Sequence, residues 1–149
     1  YRGIVSAGDA GGPQSAERQT LMQVLGGPTR TLAEQWSPPA PHVVSSLVFG
    51  AVDGTKHNSV RGIADWLRSA KGISLEDSQV HFFDDSVLNA PTFQNTGFNA
   101  RIVSCGSRDQ TMQGRIGWCG GKSSDVQEDP GVLAQCSAQQ QPTVAAPMA

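Results

Sequence analysis

The chain has 149 residues, of which 38% are hydrophobic and 16% charged, with 17 glycines and 9 prolines, so one domain-sized core with long loops is expected. Eleven basic against thirteen acidic side chains give a formal net charge of −2 without a basic block, which excludes the electrostatic footprint of a nucleic-acid binder. No run approaches the ~18 apolar residues a membrane helix needs, and the opening YRGIVSAGDAGG has no charged leader before a long apolar stretch. A cytoplasmic chain without membrane contact is therefore expected. The residues begin at Tyr1 rather than at an initiator Met, and a further segment is expected upstream.

In chain order, Gly3–Ala7 (GIVSA) is short, β-branched and closed by Gly8, which predicts a buried strand opening into a Gly-rich loop. From Gln14 to Leu25, Ala16, Leu21, Met22 and Leu25 share one helical face, and Gly26-Gly27-Pro28 stops the helix. Thr29–Trp36 predicts a second, short helix ahead of a proline spacer at Pro38–Pro41. His42–Phe49 (HVVSSLVF) has the β-branched density of a strand. Val60, Ile63, Ala64 and Leu67 recur at i, i+3, i+4 and i+7, which predicts a helix over Ser59–Ala70 capped by Asn58 or Ser59. Gln79–Phe83 is a short strand running into Asp84-Asp85, and Ala100–Ser104 is the last clear one.

Beyond Cys105 the regular signals stop. Residues 1–105 are expected to form the α/β core, and residues 106–149 a Gly-rich loop and a Gln/Pro/Ala-rich tail. Cys105, Cys119 and Cys136 are odd in number and lack C-x-x-C spacing, so reduced thiols are expected, with a Cys105–Cys119 bridge as the alternative. His42, His57 and His81 show no metal-ligand spacing, and Trp36, Trp66 and Trp118 read as packing residues.

Strand, helix, strand, helix, strand with short Gly-bearing links is the pattern of a parallel sheet with helices on both faces, and such sheets gather working residues at the carboxyl ends of strands. There the sequence places Ser6, Lys56 and the pair Asp84-Asp85. Adjacent carboxylates are costly to bring together unless a cation shares them. A hard ion such as Mg²⁺ takes one or two carboxylates and keeps sites for water and phosphate oxygens, while a lysine and a serine suit a phosphoryl group. The structural alternatives are ordinary: Ser6 as a turn residue, Lys56 as a solvated lysine, Asp84-Asp85 as an Asx turn with Ser86, and Asn89 as a loop tie.

A serine ending a strand (IVSAG), a lysine opening a helix (KHNSVRGIADWL) and VHFFDDSVLN ending in paired aspartates resemble the second, third and fourth motifs of the haloacid dehalogenase (HAD) superfamily. Asp84 follows Lys56 by 28 positions, room for one helix and a turn, and NAPTFQNTGFNARIVS is similar to the stretch after the acidic motif, where a short helix and a Gly-bearing turn feed a strand. The resemblance spans Gly3 to about Ser104. It implies a Rossmann-like (HAD-like) sheet and a Mg²⁺-dependent phosphohydrolase, in which Ser6 and Lys56 hold phosphoryl oxygens and Asp84 with Asp85 holds the metal. The substrate would be a phosphorylated small molecule or a phosphoprotein.

The family's nucleophile, an aspartate in a D-x-D motif on the central strand, has no counterpart ahead of Ser6. A second alignment sets LVFGAVDGTKHNS against that motif, with Ala51 in the nucleophile position and Asp53 as the second acid, but only 33 positions then separate Ala51 from Asp84. Either way the chain alone is expected not to form an aspartyl-phosphate. The resemblance places the nucleophile strand between the strand of Ser6 and that of Asp84. This chain should therefore present two open strand edges, completed by an upstream segment or a partner chain. The alternative in a different class is a HAD-derived binding or structural module without turnover.

Overall fold

The computed structural model describes residues 1–8, 15, 16, 19, 36–103 and 126–134. It is a mixed α/β chain in two compact units, Tyr1–Glu76 and Asp77–Ala149, each built on a small parallel sheet. The predicted helix over Gln14–Leu25 lies outside the described residues except at Ser15, Ala16 and Gln19, where the Gln19 amide donates to the Ser15 carbonyl (3.1 Å), one α-turn. The predicted helix over Thr29–Trp36 and all three cysteines also lie outside them, Trp36 excepted.

In the first unit β1 (Ile4–Ser6) pairs in parallel with β2 (Leu47–Phe49), Val5 opposite Val48. The Ile4 amide donates to the Ser46 carbonyl and the Ala51 amide to the Ser6 carbonyl, both at 2.9 Å. Since alternate residues of a strand address opposite neighbours, Val5 turns its backbone groups away from β2, and no described strand pairs on that side. β1 is half-buried rather than the buried strand expected, whereas β2 is buried throughout.

β2 is also shorter than the predicted His42–Phe49. The Ser45 hydroxyl accepts the Leu47 amide (3.2 Å) and the Ser37 hydroxyl accepts the Val44 amide (2.9 Å), so side chains take the bonds a ladder would use. Ser37 then touches β2 through a single parallel bridge to Val48, with Trp36 edge-on to Phe49 at 4.6 Å.

The helix α1 (Lys56–Lys71) buries Ser59, Val60, Ala64 and Leu67 along the predicted stripe, but begins three residues earlier than the spacing predicted. Asn58 and Ser59 are therefore interior residues, not caps. Thr55 is the N-cap position, its hydroxyl donating to the Val52 carbonyl (2.7 Å) rather than capping the helix, and the Ser59 hydroxyl accepts the Ala40 amide (3.3 Å). Gly72, left-handed at φ 64°, ends the helix with its amide on the Leu67 carbonyl. Gly62 lets the chain at Val43 approach closely: a Cβ there would lie 2.5 Å from Val43 Cγ2.

In the second unit β3 (His81–Asp84), β4 (Asn99–Ile102) and β5 (Val132–Leu133) form a parallel sheet in that order. The Val80 and Asp84 carbonyls accept the Asn99 and Val103 amides, so His81 and Phe83 address the opposite edge of β3, where no described strand pairs. A 3-10 helix, Ala90–Phe93, and a turn at Gly97 (φ 84°) feed β4. Phe93, fully buried, stacks on Phe82 at 4.6 Å and leans on Phe98 at 6.4 Å to form the centre of this unit's core.

β5 falls in the segment expected to be irregular. Two residues carry no periodicity; the strand exists because β4 offers a ladder, with the Ala100 amide on the Gly131 carbonyl (3.0 Å). The Asn99 carboxamide fastens both ends, donating to the Ser78 carbonyl (2.7 Å) and accepting the Gly131 amide (2.8 Å), and Arg101 pairs with Asp129.

Candidate functional site

Ser6 is the last residue of β1 and Lys56 the first of α1. The bond from the Ala51 amide to the Ser6 carbonyl folds the Gly50–Thr55 loop across the end of β1, and that loop leads directly into α1. Parallel pairing puts both strand ends on one side, so the structure brings Ser6 and Lys56 to the same end of the first unit. No described residue hydrogen-bonds to the Ser6 hydroxyl.

Lys56 is not the solvated lysine of the structural alternative, since it is 7% exposed. Its ammonium lies 3.1 Å from a carboxylate oxygen of Asp53, whose side chain is 23% exposed. A buried ammonium without an anion would be strongly destabilising, which explains an acid so close. Asp53 entered the sequence reading only as the second acid of the rejected alignment; the D-x-x-K spacing into a helix start was the signal for its pairing with Lys56.

The acidic pair belongs to the second unit. Asp84 ends β3 and is 7% exposed; Asp85 follows, half-buried. Asp84 Oδ1 accepts the Ser86 amide (2.7 Å) and the Asn89 side-chain amide (2.9 Å). The first is the Asx turn, and the second makes Asn89, fully buried, the expected loop tie. Asn89 also holds the 3-10 helix, its carbonyl accepting the Thr92 amide (3.0 Å) and hydroxyl (2.6 Å).

Among the described residues no group of three or more His, Cys, Asp or Glu side chains is placed to hold a metal ion. His81 instead lies 3.4 Å from the Asn99 side chain, in keeping with a structural role. An open cleft between the Pro39–Pro41 turn and the Asn58, Arg61 and Asp65 face of α1 does not include Ser6 or Lys56.

No family model, curated protein or solved structure matches the chain. No helix among the described residues is long and apolar enough to cross a membrane.

Proposed function

We propose that this chain is part of a HAD-like, Mg²⁺-dependent phosphohydrolase acting on a phosphorylated small molecule or a phosphoprotein. The observation that carries the reading is the pairing pattern: β1 pairs with β2 and β3 with β4, while the remaining edges of β1 and β3 carry no described partner. Removing the middle strand from the resembling fold leaves that arrangement, and a segment outside these residues would supply the strand and its aspartate.

In the completed enzyme that aspartate attacks phosphorus, forming an O–P bond as the ester oxygen leaves, and water then releases inorganic phosphate. The Ser6 hydroxyl donates to one phosphoryl oxygen and the Lys56 ammonium neutralises another. Asp84 and Asp85 would hold Mg²⁺, which when bound offsets charge on the phosphoryl oxygens. The Ser86 and Asn89 amides fix the Asp84 carboxylate in place beforehand.

A second reading, a HAD-derived binding or structural module without turnover, is favoured by one observation: Asp84 already serves the fold by closing the loop through Ser86 and Asn89.

The test is equilibrium binding of inorganic phosphate to the 149-residue chain, with and without Mg²⁺, beside a phosphate-ester assay. The chain alone should release no phosphate, yet bind it in a Mg²⁺-dependent way that Lys56→Gln, Asp84→Asn and Asp85→Asn each weaken at least tenfold. Binding untouched by those changes would leave only the structural module.

A further inference from the structure

We draw no further inference here: the strongest candidate, the open cleft between the Pro39–Pro41 turn and the Asn58, Arg61 and Asp65 face of α1, carries nothing, because its Ser59 hydroxyl already serves Ala40, its Asp65 carboxylate already pairs with Arg68, and nothing in the structure shows what would occupy it.

Discussion

At Asp84 one carboxylate oxygen accepts two donors, and the Asn89 side chain that supplies one of them is buried completely. Losing a hydrogen bond to a buried charged group costs about 1.5–3 kcal/mol, and here the tie to the 3-10 helix is loosened as well. Asn89→Ala should therefore lose about 2 kcal/mol in chemical denaturation, whereas a change at exposed Leu88 should stay within about 0.5 kcal/mol. The turn chemistry of D-D-S and the tying role of Asn89 were legible in the sequence because both are local, set by residues five or fewer positions apart. The pairing of Lys56 with Asp53 is equally local, but the sequence suggested for Lys56 only a phosphoryl-oxygen ligand or a solvated loop lysine.

Among the elements, α1 was the most legible, since its apolar stripe alone determines which face is buried. Its start was misplaced because Asn58 and Ser59 are good capping residues, and only tertiary structure shows the Ser59 hydroxyl serving Ala40 instead. β2 was overextended for a related reason: β-branched density predicts a strand over His42–Phe49, but Ser37 and Ser45 divert the backbone of its first half. The close approach of Val43 to Gly62 is a contact no one-dimensional pattern carries. Gly62→Ala, normally stabilising inside a helix, should here destabilise by about 1–3 kcal/mol in denaturant unfolding, because the β-branched Val43 has little room to move.

For the whole molecule, the strand-end placement of Ser6 and Asp84 and the parallel pairing followed from the order of elements, while β5 did not, being two residues long and created by the edge of β4. The proposal that Ser6 and Lys56 hold phosphoryl oxygens while Asp84 and Asp85 hold Mg²⁺ is tested most directly by a probe read at every backbone amide. Mn²⁺ shares the octahedral oxygen chemistry of Mg²⁺ and broadens the amide resonances of residues near it. Titrated with Mn²⁺ in the presence of inorganic phosphate, the chain should show broadening at Asp84, Asp85 and Ser86 and also at Ser6, Ala51 and Lys56, with all of it abolished by Asp84→Asn. Broadening confined to the acidic turn, or unchanged in that variant, would contradict the account.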